Sequence, residues 1–287
     1  MTSARRYQNV FAAALACALV LAVFAPLQQS RAEGTPLVLE GAAVQGGLLV
    51  GEVPPGTRVA LDGREVRVSA QGRFVIGFGR DAELSHRLHL AYPSGIEEVR
   101  PIELGKREYE IQRIDGLPEK MVTPPEEVLA RIREENARIA AARAIDRPEP
   151  DFLSGWIWPA KGIVTGVYGS QRILNGEPRR PHFGIDIAAP EGTPVVAPAD
   201  GVVTLAETGM YFTGGTLILD HGHGVSSAFL HLAGLLVDEG EAVSRGDPIA
   251  RVGSTGRSTG AHLDWRINWF EERIDPALLA GPMPDQN

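Results

Sequence analysis

The chain has 287 residues, of which 44% are hydrophobic, and a formal net charge of −8. This length allows one large domain or two small ones. The acidic balance argues against nucleic acid as a partner and against adhesion to anionic lipid by charge alone.

Residues 1–32 have the features of a secretory signal peptide. Two arginines precede an apolar run from Val10 to Leu27, and Ser30-Arg31-Ala32 supplies the small residues that a signal peptidase needs at positions −3 and −1. We expect cleavage before Glu33, which removes three arginines and no acid and so changes the charge from −8 to −11. An uncleaved membrane anchor is the alternative, because the run is about as long as the shortest spanning helix. Contact with a membrane is expected only through this segment, if it is uncleaved.

Residues 33–117 read as short strands separated by turn signals. The run "TRVALDGREVRVS" alternates on either side of Asp62-Gly63, a dipeptide that tolerates the positive φ angles of a type I′ hairpin turn. The runs "RFVIGF", "RLHLAY" and "YEIQRI" continue the pattern. These features predict a small β-sandwich-like domain that carries no catalytic motif.

Residues 118–150 are predicted to be a connector helix and a linker. Thr123 can cap the helix, which should run to about Arg143. The proline-rich run "AIDRPEPDF" marks the end of the linker. Two i, i+4 ion pairs are expected along the helix: Glu127–Arg131 and Glu134–Arg138.

Residues 151–280 form a second predicted all-β domain, in which five of the seven histidines lie between His182 and His262. His182 and Asp186 have an H-x-x-x-D spacing. In a straight strand they would be about 13 Å apart, too far to share an ion, so the chain must bend between them. Gly184 permits that bend.

The run "HLDWRINWF" alternates between polar and apolar residues and predicts a strand. His262, Asp264 and Arg266 fall on one face, and an apolar core contacts the other. His231 ends another apolar strand. Catalytic zinc needs three protein ligands and an open position. The alternative interpretation is that the histidines and acids only cap strand ends and that Asp264 pairs with Arg266.

The ordered motifs of this region resemble those of the M23 metallopeptidases, also called the LytM or lysostaphin-type family. They are His182-x-x-x-Asp186, "HGHGVSSAFLHL" and "VGSTGRSTGAHLDW", and the resemblance covers about Trp156 to Pro276. It implies an antiparallel β-sandwich peptidase domain. It also implies a zinc-dependent endopeptidase that hydrolyses peptide cross-links of bacterial peptidoglycan, in the periplasm or outside the cell.

Carried over by position, the resemblance makes His182, Asp186 and Asp264 the Zn²⁺ ligands and makes His231 and His262 the catalytic histidines. Asp264 departs from the family, which has the second histidine of an H-x-H motif there. A carboxylate oxygen binds zinc at about the same distance as an imidazole nitrogen. The alternative is a catalytically degenerate domain that binds the cell wall or regulates cell-wall amidases or division proteins.

Overall fold

The computed structural model describes residues 37–114, 126–174 and 176–284, all of which belong to one compact unit. The predicted signal peptide and the predicted cap at Thr123 lie outside these residues. Within them, no helix is long and apolar enough to cross a membrane.

Residues 37–114 form two small antiparallel sheets, with strand orders β1-β2-β5 and β4-β3-β6-β7. The predicted hairpin at Asp62-Gly63 joins β3 to β4, and both residues have positive φ angles, 48° and 86°. Phe74 and Leu88 are fully buried in the core of this region. The strands are β1 (Val38–Gly41), β2 (Leu48–Glu52), β3 (Arg58–Leu61), β4 (Arg64–Val66), β5 (Arg73–Gly77), β6 (Ser85–Ala91), β7 (Glu97–Glu103) and β8 (Ile111–Ile114).

The predicted connector helix is α1 (Glu126–Arg143). Its ion pairs differ from the expected ones, since Arg131 pairs with Glu135 and Arg138 pairs with Glu207. Arg138 therefore binds an acid of another element instead of one on its own helix. The helix thus contacts the chain that follows it through an ion pair as well as through apolar packing.

The remaining chain forms one large sheet, one small sheet and two strands of a third, in agreement with the all-β expectation. The large sheet has the order β18-β14-β15-β16-β20-β12-β9, with β21 paired to β20, and the small one has the order β13-β19-β17. A separate three-stranded sheet has the order β11-β10-β8. The elements are a 3-10 turn (Asp151–Ser154), β9 (Ile163–Gly166), β10 (Gln171–Leu174), β11 (Glu177–Pro178), β12 (Ile185–Ala188), β13 (Pro194–Val196), β14 (Gly201–Met210), β15 (Gly214–Asp220), β16 (Val225–Leu232), β17 (Gly234–Leu235), β18 (Ala242–Val243), β19 (Pro248–Arg251), β20 (His262–Trp269), β21 (Glu272–Ile274) and α2 (Pro276–Ala280).

The alternation of β20 separates an apolar core from a polar face. Leu263, Trp265 and Ile267 are fully buried and belong to the same core cluster as Val195 and Ile249 of the small sheet. Each such side chain contributes about 1.5–3 kcal/mol on burial, and this fixes which face of the strand points inward. Asp264, Arg266 and Asn268 are consequently directed to the opposite face of the large sheet.

Helix α1 packs on that opposite face, over the neighbouring strands. Its residue Ala142 lies in a second apolar cluster with Ile218, Ala228 and Leu230. Leu230 and Ala228 are the register partners of Asp264 and Arg266. The end of the helix is thereby placed beside the polar face of β20.

The strands of residues 37–114 share core contacts with the large sheet. A Cβ atom on Gly77 would lie 2.7 Å from Cβ of Trp269 and 2.8 Å from Cδ1 of Ile274, so only glycine allows this approach. The domain boundaries stay a prediction.

Candidate metal centre

Asp264 lies in the middle of β20, between two register partners. Asp186 of β12 is opposite it on one side, and Leu230 of β16 is opposite it on the other. Directly opposed residues of antiparallel strands present their side chains on the same face. The two carboxylates therefore point to the same side of the sheet.

His182 reaches these carboxylates from the loop that precedes β12. Its Nε2 lies 3.3 Å from Oδ1 of Asp186. That Nε2 is buried and has no hydrogen-bond partner among the described residues. One ligand atom from each of His182, Asp186 and Asp264 lies within 4.8 Å of the others.

Gly184 allows the loop to approach β20 closely. The sequence had indicated a different reason for this glycine, a bend of the chain between His182 and Asp186. A Cβ atom there would lie 2.6 Å from Oδ1 of Asp264 and 2.7 Å from Cγ of Arg266. The φ angle of Gly184 is not in the left-handed region. Glycine is needed for the close approach of the backbone to two side chains, and not for an unusual backbone angle.

Asp264 also forms the ion pair with Arg266 that the strand alternation offered. Nε of Arg266 donates to Oδ1 at 2.9 Å, and Nη2 donates to Oδ2 at 2.5 Å. The Asp264 side chain is 5% exposed. Burial acts to raise the pKa of Asp264, but the charge and hydrogen bonds of Arg266 outweigh it and hold that pKa below its ordinary value.

The negative charge of Asp186 is less well compensated by neighbouring positive charge than that of Asp264. Burial, followed by the negative charge of Asp264, raises the pKa of Asp186 above its ordinary value. Two carboxylates and an imidazole nitrogen without a partner, gathered on one face, form a donor set that suits a divalent cation.

His231 and His262 lie together, with ring centres 4.8 Å apart. Nδ1 of His231 lies 2.8 Å from the carbonyl oxygen of Thr255, and Nδ1 of His262 lies 2.8 Å from that of Gly260. A carbonyl oxygen can only accept, so each Nδ1 carries the hydrogen and each Nε2 is the free acceptor of a neutral ring. Burial lowers the pKa of His231.

Two contacts of these histidines could not be found from motif spacing. The carbonyl group of Thr255 holds His231 across 24 residues, and Oγ of Ser258 lies 3.2 Å from Nδ1 of His262. Both residues belong to the glycine-rich loop before β20. The signal available in the sequence was only that the loop immediately precedes His262.

His221 and His223 lie elsewhere. They follow β15 and lie near the end of the β16–β20 pair, where Val225 is opposite Trp269. Trp269 is about 17 Å along β20 from Asp264. His221 is fully buried, with Nδ1 at 2.6 Å from the carbonyl oxygen of Asp200 and Nε2 at 2.8 Å from Oγ of Ser227. These contacts give His221 a role in packing.

The chain is similar to known proteins of one peptidase family. Residues 180–276 match peptidase family M23. The DD-carboxypeptidase/endopeptidase Mpg of Neisseria meningitidis is 43% identical over 107 residues, which are 37% of this chain and 24% of that protein. The murein hydrolase activator NlpD of Escherichia coli is 33% identical over 124 residues, which are 43% of this chain and 31% of that protein. These matches span about a quarter to a third of the relatives' own length.

One solved structure corresponds over much more of the chain. It is a putative peptidase M23 from Pseudomonas aeruginosa, 30% identical, with a TM-score of 0.65, and the match covers 83% of this chain and 95% of that one. The fold, the ordered motifs and this correspondence lead to one conclusion: the chain belongs to peptidase family M23.

Proposed function

We propose that this protein is a zinc-dependent endopeptidase that hydrolyses peptide cross-links of bacterial peptidoglycan. The observation that carries the proposal is that one ligand atom from each of His182, Asp186 and Asp264 lies within 4.8 Å of the other two. The buried Nε2 of His182 has no hydrogen-bond partner among the described residues. The two neighbouring histidines then supply the proton chemistry that hydrolysis needs.

The charges of the site support a zinc ion. The family's set of two histidines and one aspartate carries one negative charge, and the second aspartate adds another. Arg266 supplies a compensating positive charge directly to Asp264. The net charge around the metal position is therefore that of the family's set, although one ligand differs.

His182, Asp186 and Asp264 would hold the ion. When bound there, zinc would polarise the scissile carbonyl group and lower the pKa of a water molecule. The carboxylate of Asp264 would bind through lone pairs that Arg266 leaves free, since two carboxylate oxygens offer about four such positions.

The two histidines would move the proton. Nε2 of His231 or His262 accepts a proton from the attacking water, because Nδ1 of each ring already donates to a carbonyl oxygen. Protonation converts that Nε2 into a donor, which can then stabilise the oxyanion or protonate the leaving amine. The lowered pKa of His231 keeps its ring neutral, as an acceptor must be.

The names of the relatives and the sequence support a proposal for the substrate and the location. Mpg is named a DD-carboxypeptidase/endopeptidase, and residues 1–32 have the features of a signal peptide. We therefore propose that the enzyme acts in the periplasm or outside the cell. In a Gram-negative periplasm the scissile bond would be the D-alanyl to diaminopimelate cross-link.

A second candidate function is regulation of cell-wall amidases by a domain that does not cleave. The ion pair between Arg266 and Asp264 favours it, because it satisfies both oxygens of the carboxylate without a metal. The relative named a murein hydrolase activator supports the same alternative.

Zinc content and muropeptide release distinguish the two. We expect about one zinc per purified chain and release of muropeptides from sacculi, with both lost in His182→Ala. His89→Ala is the matched control, since His89 is an exposed strand residue of the region 37–114. A parent protein without stoichiometric zinc or cleavage would refute the endopeptidase and leave the regulator.

A further inference from the structure

Four arginines of the described chain gather on the polar side of β20, although the protein as a whole is acidic. They come from four separate parts of the chain. Arg266 lies in β20, Arg273 in β21, Arg180 in the loop between β11 and β12, and Arg143 at the end of α1.

Two of them meet at the aromatic ring that follows His182. The guanidinium carbon of Arg180 lies 5.4 Å from the centre of the Phe183 ring, and that of Arg273 lies 5.9 Å from it. Nη1 of Arg273 also donates to Oδ1 of Asn268, its register partner. Arg180 and Arg273 therefore contact a residue, Phe183, that is adjacent in sequence to the proposed metal ligand His182.

Helix α1 brings the third arginine to the same place. Ala142 packs in one cluster with Ala228, and Ala228 is the register partner of Arg266. Arg143 follows Ala142, and its Nε is buried without a hydrogen-bond partner among the described residues.

Among the described residues, the other three arginines have no carboxylate within ion-pair distance. Arg266 is matched by Asp264, but no described carboxylate lies within 4.0 Å of Arg143, Arg180 or Arg273. Glu271 attracts Arg143 from a longer distance, and its exposed side chain pairs with Arg64 at 3.5 Å.

The surplus of positive charge is costly in the free protein. Burial, followed by the charges of Arg143, Arg266 and Arg180, lowers the pKa of Arg273 to about 9. Burial also lowers the pKa of Arg143. A bound anion would relieve this repulsion, and arginine matches the planar geometry of a carboxylate through paired hydrogen bonds.

We propose that Arg143, Arg180 and Arg273 form a subsite for a carboxylate of the peptide substrate, adjacent to the metal centre. Naming the substrate rests on the proposed function. Peptidoglycan stem peptides carry free carboxylates, so such a subsite would position an acidic peptide relative to His182 and its neighbours. It would also select against stems whose carboxylates are amidated.

Binding of an uncrosslinked stem peptide tests the subsite apart from catalysis. The probes are a synthetic stem tetrapeptide with free carboxylates and the same peptide fully amidated, titrated into the full chain by calorimetry. Hydrogen bonds to charged groups are stronger than those between neutral groups, so we expect the acidic peptide to bind at least roughly tenfold more tightly than the amidated one.

Arg273→Gln and the exposed Arg180→Gln should each lose most of this preference, and retention of thermal stability in Arg180→Gln separates binding from folding. Arg58→Gln is the matched control, because Arg58 is exposed in β3 and its loss removes the same charge. Equal affinity for the two peptides, or an equal loss in the control, would overturn the subsite. Displacement of the peptide by inorganic phosphate at the same concentration would reassign it to a free anion.

Zinc content and cleavage of sacculi are measured in parallel, so the two proposals can fail separately. Preference for the acidic peptide without cleavage would leave the subsite and refute the endopeptidase. Cleavage without that preference would leave the endopeptidase and refute the subsite.

Discussion

Replacing Arg266 by glutamine tests whether Asp264 is a metal ligand or only one half of an ion pair. The substitution removes the positive charge and leaves a carboxylate that is 5% exposed without its main partner. Without its counter-ion, the buried carboxylate of Asp264 destabilises the metal-free fold. If Asp264 is a metal ligand, the same uncompensated negative charge attracts the cation more strongly and strengthens metal binding. The two roles therefore predict different responses to zinc.

The magnitude of the first effect follows from burial. Breaking a buried ion pair costs about 3–5 kcal/mol, and the lower value applies because the Arg266 side chain is 27% exposed. For a chain of this size, about 3 kcal/mol lowers the melting temperature of the zinc-depleted protein by roughly 6–12 °C.

The second effect concerns zinc affinity. Two unit charges about 5 Å apart interact by roughly 3 kcal/mol at an effective dielectric constant of about 20. Loss of the Arg266 charge should therefore lower the Kd for zinc at least tenfold, which corresponds to about 1.4 kcal/mol. Saturating zinc should restore much of the lost stability. The kcat should fall, because loss of the Arg266 charge makes the surroundings of the metal position more negative and a bound ion a weaker Lewis acid.

The assay combines thermal unfolding with and without zinc, a competition titration with a chromophoric chelator, and muropeptide release. The result that would refute the reasoning is an Arg266→Gln protein that loses stability but binds zinc with the parent's affinity. In that case Asp264 would be only a structural partner of Arg266.

Three further predictions follow from the site and its surroundings. Asp264→His alone should destabilise the fold by leaving Arg266 unpaired. The double variant, Asp264→His with Arg266→Gln, should be more stable than this single variant and should bind zinc. A double variant no more stable than the single one would contradict the charge argument. His262→Ala and His231→Ala should each keep zinc while muropeptide release falls by about 10²–10⁴, the usual range for loss of a general acid or base, and loss of zinc in either would show a ligand instead. Burial lowers the pKa of His221 from 6.5 to about 4, so folding stability should be fully present above pH 6.5 and decline from there to about pH 4, and urea titrations across this range should show a flatter acid limb in His221→Gln.

The sequence predicted the polar face of β20 because alternation is a local property. His262, Asp264 and Arg266 fall on one side of any extended strand, and the apolar residues between them decide which side is buried. The pairing of Asp264 with Arg266 was available as an alternative for the same reason. The fold class was predictable too, since turn dipeptides and short β-branched runs recur along the chain.

Long-range contacts were outside the reach of such patterns. The i, i+4 partners expected within α1 were wrong because Arg138 pairs with Glu207, 69 residues away. Gly184 was expected to permit a bend between His182 and Asp186, but glycine is required there because β20 approaches closely, which no local pattern encodes. The convergence of Arg143, Arg180 and Arg273 likewise requires the packing of α1 on the large sheet.

The ion pair and the metal site need not exclude each other, and the geometry of Asp264 shows why. Arg266 approaches the carboxylate from its own strand, two residues away, while Asp186 and the loop of His182 approach from β12. The donor set and the guanidinium group thus come to the carboxylate from different elements. Asp264 places a second negative charge beside Asp186, and burial, followed by this charge, raises the pKa of Asp186. Arg266 limits that cost before any metal binds, so the proposed ligand Asp264, paired with Arg266, would be nearly neutral, like the histidine that the family resemblance implies at this position.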